Sequence, residues 1–343
     1  MNLRFSIVVI AYKRKAYLMD AVKTALEQDY PKELIQVIVV KAFYDKDIDN
    51  FLKTSQVETI FSDTTDQGKS LCVALSKCNG DIITLLDDDD LFAPNKLTIL
   101  SREYLSNPDL AVTVNSYDVV DKNCQPFLTD FGRSERKLQR ELGHSLWRYP
   151  EYDFDLIIIK LNMLFNSSRI SFSRDLIIDI MDISRKISFL VDILFVTFAI
   201  YKRRCIASLP EILTHYRLHD ENISLVRQRE NLIPKLLPIH RKIIKDIENI
   251  SSYFRFVDVG FSKFFDLWHD LERLKLAMLG ESKSEVIAAT YNLLNNLYRQ
   301  HSSFSVYRSR SFNYKSIASS LAFFPVFIVS MSLGRKIRLL FPF

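Results

Sequence analysis

IITLLDDDDLFAPNKL, residues 82–97, sets a short apolar run directly against four consecutive aspartates. Ile82 to Leu86 has the length and the branched, apolar character of a strand buried on both faces. Leu91-Phe92-Ala93-Pro94 then reads as the entry to a helix running from Pro94 to Leu105. Four adjacent carboxylates repel one another by a few kcal/mol per pair, roughly, at close range and intermediate dielectric. A solvated acidic loop would tolerate them, but a cluster between a buried strand and a helix asks for a compensating cation.

Upstream, Phe5 to Ala11 (FSIVVIA) is a second buried strand, followed by the basic turn Lys13-Arg14-Lys15. From Tyr17 to Gln28 the residues Leu18, Ala21, Val22, Ala25 and Leu26 repeat at helical spacing, and Tyr30-Pro31 ends the run. Ile35 to Val40 is another strand, and Thr59-Ile60-Phe61 is a short third one. A helix carrying Leu71, Ala74, Leu75 and Cys78 is expected to close at Asn79-Gly80. Alternating strands and helices of this kind predict a parallel, doubly wound α/β sheet, in which ligands gather outside the carboxyl ends of the strands. The aspartates fall at one such end.

Downstream, Leu110 to Asn115 reads as a strand, residues 120–155 are polar and unassigned, and apolar periodicity returns at Leu156 to Leu164 and Phe189 to Tyr201. Beyond residue 225 long helices of mixed charge take over, such as Ile233 to Ile250 and Phe265 to Met278. The expected organisation is a catalytic domain over residues 1–225, a helical extension over 226–315 and an apolar, basic tail over 316–343. Within that tail, Ile317 to Gly334 holds 18 residues without a charge, and Arg335-Lys336-Ile337-Arg338 follows. Pro325 and four serines weaken it as a span, so an interfacial anchor is the expectation, with a terminal helix packed on the body as the alternative.

The chain has 343 residues, enough for a full core, and its net charge of +5 is too diffuse for a dedicated nucleic-acid binder. Cys72, Cys78, Cys124 and Cys205 form no C-x-x-C pair and read as buried free thiols of a reducing compartment. Met1 to Phe5 runs straight into a strand, without the longer apolar stretch of a secretory signal, so the catalytic part is expected to face the cytoplasm. Gly68-Lys69-Ser70 ends like a phosphate-binding P-loop, yet position 63, where that pattern requires glycine, is Asp63. An NTPase is therefore excluded.

Four blocks, Phe5 to Arg14 (FSIVVIAYKR), Asn79 to Asp81 (NGD), Leu86 to Leu97 (LDDDDLFAPNKL) and Leu213 to Ser224 (LTHYRLHDENIS), occur in the order found in family 2 glycosyltransferases. Over roughly its first 225 residues the chain resembles that family, whose GT-A fold is a Rossmann-like, mostly parallel sheet flanked by helices. The resemblance implies a metal-dependent, inverting transfer of a sugar from a nucleoside diphosphate to an acceptor hydroxyl of a glycan, lipid-linked or protein-linked, with no nucleic-acid partner. It implies Mn²⁺ or Mg²⁺ as cofactor, with Asp89 as a metal ligand and Asp87 and Asp88 contacting the ribose or completing the metal shell. Asp90 is expected to cap the following turn. Asp192 (FLVDILF) stands where the family places its base, with Asp182 as the alternative. Arg217 is expected on the diphosphate and His219 on the metal, while His215 reads as structural.

The chain also departs from the family's pattern. Ala11, Tyr12 and Arg14 stand in the donor-lining segment after the first strand, where Pro-Thr-Tyr-Asn is commoner. After the second strand the base-reading carboxylate is replaced by Val40-Lys41-Ala42-Phe43-Tyr44-Asp45. Lys41 or Asp45 substitutes for it, or Phe43 or Tyr44 stacks on the base, and Lys69 is placed to reach a phosphate. These departures leave room for a pseudo-transferase that binds a nucleotide sugar or a partner without turnover. A nucleotidyltransferase shares the metal chemistry but gives no reason for the Asp192 and Tyr216-Arg217-Leu218-His219 blocks.

Overall fold

The computed structural model describes residues 2–64, 66–127, 143–148, 166–220, 222, 232–255, 259–280 and 283–301. The expected apolar run Leu156 to Leu164 and the tail 316–343 lie outside the described residues.

The chain divides into two compact units, the first drawn from residues 1–152, 160–185 and 191–222, the second from 153–159, 186–190 and 223–343. In the first unit, β1 (Phe5–Ala11), β2 (Ile35–Lys41), β3 (Glu58–Phe61) and β4 (Ile82–Asp87) are parallel, with β1 lying between β2 and β4. Helices α1 (Leu18–Leu26), α2 (Lys46–Thr54) and α3 (Gln67–Leu75) make the crossovers. Leu18, Ala21, Val22 and Ala25, the apolar face read from the sequence, are all buried and join Phe5, Ile7, Val9 and Val39 in one core.

Beyond β4 the sheet becomes mixed. A two-residue strand β5 (Leu91–Phe92) precedes α4 (Lys96–Ser106) and β6 (Leu110–Asp121). Then follow β7 (Ser145–Trp147), β8 (Ile170–Ser173), α5 (Ile177–Ser184), α6 (Val191–Tyr201) and β9 (Cys205–Leu218). The strand order is β3-β2-β1-β4-β8-β6-β9-β5, with β7 also on β9. β8 runs antiparallel between β4 and β6, while β6 and β9 are parallel. The parallel doubly wound pattern therefore holds for the first four strands only. Leu91-Phe92 is not a helix entry, because its backbone pairs with His215 and Thr214 of β9. β6 extends six residues past the expected end at Asn115 because β9 pairs along its whole length.

Two smaller expectations are also revised. Cys72, Cys78 and Cys205 are buried free thiols, but Cys124 is exposed in the turn after β6. Gly80 does not cap α3, which ends at Leu75 with Ser76 as its cap. Its role is close approach: the Gly80 N–H donates to Ser6 Oγ at 2.9 Å, and a Cβ there would lie 2.7 Å from the carbonyl carbon of Phe5 and nearer still to the Ser6 nitrogen.

The second unit contains α7 (Leu232–Arg255), α8 (Val259–Gly280) and α9 (Lys283–His301). Ile247, Ile250 and Phe254 of α7, Leu274 of α8 and Leu293 of α9 are buried at helical spacing. No helix among the described residues is long and apolar enough to cross a membrane.

Because the backbones of β1 and the Gly80 turn leave no room for a methyl group, Gly80→Ala is expected to destabilise the first unit by about 1–3 kcal/mol, as overpacking does. Chemical denaturation checks this; an unchanged midpoint would show that the turn can yield.

Candidate active site

Strand pairing decides what meets at the sheet's rim. Asp87 is the last residue of β4, opposite Ile10 of β1, while Ala11 closes β1 opposite Lys41 of β2. Since β8 is antiparallel to β4, the start of β8 and the 3₁₀ turn Ser167–Arg169 before it come to the carboxyl end of β4. The β5 pairing with β9 draws the end of β9, with Arg217, to the same place. Three distant segments thus surround the aspartate run.

The four carboxylates have different surroundings. Asp90 is fully buried: Oδ2 accepts from Asn166 Nδ2 at 2.9 Å and Ser168 Oγ at 2.7 Å, and Oδ1 accepts from the Arg217 N–H at 3.1 Å. It ties two segments to the cluster and does not cap the next turn. Asp88 accepts from Arg14 Nη2 at 2.6 Å. Asp89 is shared, its Oδ2 accepting from Arg14 Nη1 and lying 3.0 Å from His219 Nε2. Asp87 accepts no hydrogen bond on its carboxylate among the described residues; its backbone N–H donates to Ser168 Oγ at 2.9 Å and its carbonyl accepts from the Asp90 N–H at 3.2 Å.

Electrostatics follows from this arrangement. Burial, with added repulsion from Asp90, Asp89, Asp192 and Asp88, holds the Asp87 carboxyl well above the usual carboxylate range. Burial pushes Asp88 up to about 7 against the pull of Arg14, and Asp90 up to about 7 against Ser168, Asn166 and the Arg217 N–H. Oxygens of Asp87, Asp89 and Asp90 lie within 4.8 Å of one another. An unpartnered carboxylate facing two others, beside an imidazole, is a hard donor set that suits Mn²⁺ or Mg²⁺. The residues present fit such an ion.

Asp192 lies in the first turn of α6, where Ser167 Oγ donates to its Oδ1 at 2.5 Å. Desolvation at the start of α6 pushes its carboxyl up to about 7, and Ser167 opposes the shift. Asp192 is also close enough to Asp87 to add to its repulsion. Asp182 is on α5, and no bond joins it to this cluster among the described residues.

On the other side of Ala11 a cleft opens between β1, β2 and the start of α3, lined by Ala11, Tyr12, Lys41, Ala42, Asp66 and Ser70. Lys41 is buried there, with its Nζ 2.7 Å from Asp49 Oδ1. Asp45 is used elsewhere: it caps α2 by accepting from the N–H groups of Asp47 and Ile48, and it pairs with Lys15. Lys69 is exposed and pairs with Asp66 one turn earlier. Tyr44 stacks face to face on Phe61, with ring centroids 4.5 Å apart.

Residues 6–162 match the family model described as Glycosyl transferase family 2. These residues belong to glycosyl transferase family 2. The chain is also 29% identical over 121 residues to an uncharacterized glycosyltransferase of Haemophilus influenzae, a stretch covering 34% of this chain and 48% of that protein. It thus spans about half the length of the curated relative it matches. Among solved structures, Staphylococcus aureus TarS 1–349 in complex with UDP-GlcNAc superposes with a TM-score of 0.52 at 16% identity, covering 87% of this chain and 92% of that one. The mannosyltransferase PcManGT of Pyrobaculum calidifontis, in complex with GDP-Man and Mn²⁺, gives 0.50 at 11% identity, covering 99% and 88%. At these identities the structural likeness establishes the fold, a mixed α/β sheet of the GT-A kind.

In the first unit, beyond the matched residues, Arg217 is buried and held within the protein. Its guanidinium lies 3.2 and 3.3 Å from Asp20 Oδ2 and stacks on the Tyr17 ring, and its Nε is buried without a hydrogen-bond partner among the described residues. His219 sits on the same Tyr17 ring, with centroids 4.7 Å apart. His215 pairs with Asp118 across the β6–β9 ladder. The sequence reading omitted Asp20, Tyr17, Asn166, Ser167, Ser168 and Lys96. Lys96 is fully buried, donates to the Ser168 carbonyl at 2.6 Å and is held well below the usual lysine range by burial. A lysine in a block that ends in apolar Leu97 was a usable signal, whereas Asn166 to Ser168 offered none.

The raised carboxylates also set a pH dependence. Asp88, Asp90 and Asp192 ionise near 7 in the folded domain and near the ordinary value, about 3.9, in the unfolded chain. Their stabilising effect is complete below that ordinary value and is lost as pH rises through about 7. In EDTA the protein is expected to melt at a higher temperature at pH 5.5 than at pH 7.5, and Asp87→Asn should narrow the gap. His269, raised by Asp270, acts in the same direction, so the comparison of the two proteins isolates the cluster.

Proposed function

We propose that this chain is an inverting glycosyltransferase. It moves a sugar from a nucleoside diphosphate to an acceptor hydroxyl, with Mn²⁺ or Mg²⁺ held by Asp87 and Asp89 and flanked by His219. The observation that carries this reading is the Asp87 carboxylate, unpartnered among the described residues yet within 4.8 Å of oxygens of Asp89 and Asp90. Family membership and the nucleotide-sugar complexes of TarS and PcManGT support the donor class. The basic, apolar tail 316–343 supports only a location at the cytoplasmic face of a membrane, where the acceptor is carried on a lipid or a growing surface polysaccharide or glycoprotein glycan.

When bound, the divalent ion stabilises the charge that develops on the diphosphate leaving group. The protein's own residues do the rest. Ala11, Tyr12 and Lys41 line the cleft for the base and ribose. Asp88, paired with Arg14 in the free protein, is placed for the ribose, and Asp66, which lines the cleft, is paired with Lys69. Arg217, freed from Asp20, gives a planar pair of donors suited to phosphate. Asp192 takes the acceptor's proton. Ser167 holds one of its oxygens, and its raised value suits a base working near neutral pH.

Thermal-shift measurements with UDP-, GDP- and dTDP-sugars, with and without Mn²⁺, identify the donor, since a ligand at a hundred times its dissociation constant adds about 2.7 kcal/mol. With that donor, Asp89→Ala is expected to lose both metal-dependent binding and turnover. Asp192→Asn should keep binding and lose about 10²–10⁴ in kcat. In the wild type, kcat/KM should fall below an acidic limb near pH 7, because protonated Asp192 cannot accept a proton. Metal-independent donor binding, or full turnover by Asp192→Asn, would sink this reading; binding without turnover in the wild type would make the chain a nucleotide-sugar binding module.

A further inference from the structure

Arg14 is placed as a cation would be. It lies in the basic turn between β1 and α1, with its side chain 27% exposed, against Asp88 and Asp89 side chains that are 3% and 6% exposed. Its two terminal nitrogens divide between the two carboxylates, Nη2 on Asp88 Oδ1 at 2.6 Å and Nη1 on Asp89 Oδ2. That Asp89 oxygen is also the one beside His219. Burial alone would weaken the guanidinium's hold on its proton, yet Asp89, Asp88 and Asp87 together raise its affinity. Two carboxylates buried this deeply and left unpaired would each carry a large desolvation cost. Arg14 offsets part of that cost while the donor is absent.

A divalent ion entering between Asp87 and Asp89 competes for the charge that Arg14 already neutralises. Arg14 has somewhere to go, since it is partly exposed and a guanidinium pairs at least as well with a phosphate as with a carboxylate. A diphosphate held at the same cluster would offer Arg14 that partner. We infer that Arg14 is a built-in counter-cation of the Asp88–Asp89 pair, which passes to the donor's diphosphate as the metal enters, so that metal and nucleoside diphosphate bind cooperatively. This rests on the metal reading given under the proposed function, and it adds a reason why the metal alone should bind weakly.

Mn²⁺ titrations of the full chain, followed by the electron paramagnetic resonance signal of the free ion, test it without any turnover assay. Wild type is expected to bind Mn²⁺ weakly alone and more tightly with saturating UDP or GDP. Arg14→Met should bind Mn²⁺ alone about tenfold tighter, within the usual range of coupling between sites, and lose a similar factor from the nucleotide's effect. Arg14→Lys, which keeps the charge, should stay near wild type. If circular dichroism shows Arg14→Met unfolded, Arg14→Gln carries the same expectation, because it retains a donor without the charge. Unchanged or weaker Mn²⁺ binding in the charge-removing variant, with wild type still binding Mn²⁺ in the presence of a nucleotide, overturns this inference alone. Failure of wild type and variants to bind Mn²⁺ under any of these conditions overturns the metal reading and this inference with it.

Discussion

The site depends on one constraint: four negative side chains in consecutive positions must each find a different answer to the same repulsion. Asp90 is satisfied structurally, by Asn166, Ser168 and the Arg217 N–H. Asp88 and Asp89 are satisfied by one guanidinium and one imidazole. Asp87 accepts nothing on its carboxylate among the described residues, and its ionisation is suppressed by burial and by its neighbours. An arrangement that commits one carboxylate to architecture, pairs two with protein side chains and leaves one open suits a site for an exchangeable cation. A uniformly solvated acidic loop would show none of this division.

The arginines of the two flanking motifs extend the same logic. Arg14 is held by Asp88 and Asp89, and Arg217 by Asp20, so both groups best suited to a diphosphate are held by protein carboxylates. Their surroundings differ. Arg14 is more than a quarter exposed and can leave without disturbing the core, whereas Arg217 is 1% exposed, stacked on Tyr17 and tied by its own N–H to Asp90. Moving Arg217 toward a phosphate therefore requires its side chain, and not its backbone, to swing. Its buried, unpartnered Nε is a group that gains from such a swing.

The sequence made the βα units legible because their periodicities are local: the buried face of α1 and the apolar runs of β1, β2 and β4 each follow from burial on one or two faces. The aspartate run stood out for the same reason, being a local charge problem. What stayed hidden was non-local. β8 is four residues, ISFS, with two serines in a polar setting, and only its place between β4 and β6 makes it a strand. β5 has two residues and exists through pairing with β9. Asp20 lies on a helix whose polar positions read as a solvated face. Asn166, Ser167 and Ser168 are polar residues outside either apolar run, and their roles arise only when β8 brings them to the end of β4.

That hidden turn joins the two halves of the proposed chemistry. Ser168 accepts from the Asp87 N–H and donates to Asp90, while its neighbour Ser167 donates to Asp192. A single peptide bond therefore separates the group that fixes the donor cluster from the group that fixes the proposed base. Lys96 and Thr214 both bond the Ser168 carbonyl, at 2.6 and 2.8 Å, which pins that link from the opposite side. Inverting displacement needs base and leaving group on opposite faces of one sugar ring, so the distance between them must not drift. A planar, bonded peptide at this position supplies that rigidity more economically than two independently placed side chains, because peptide geometry leaves few soft torsions between the two contacts.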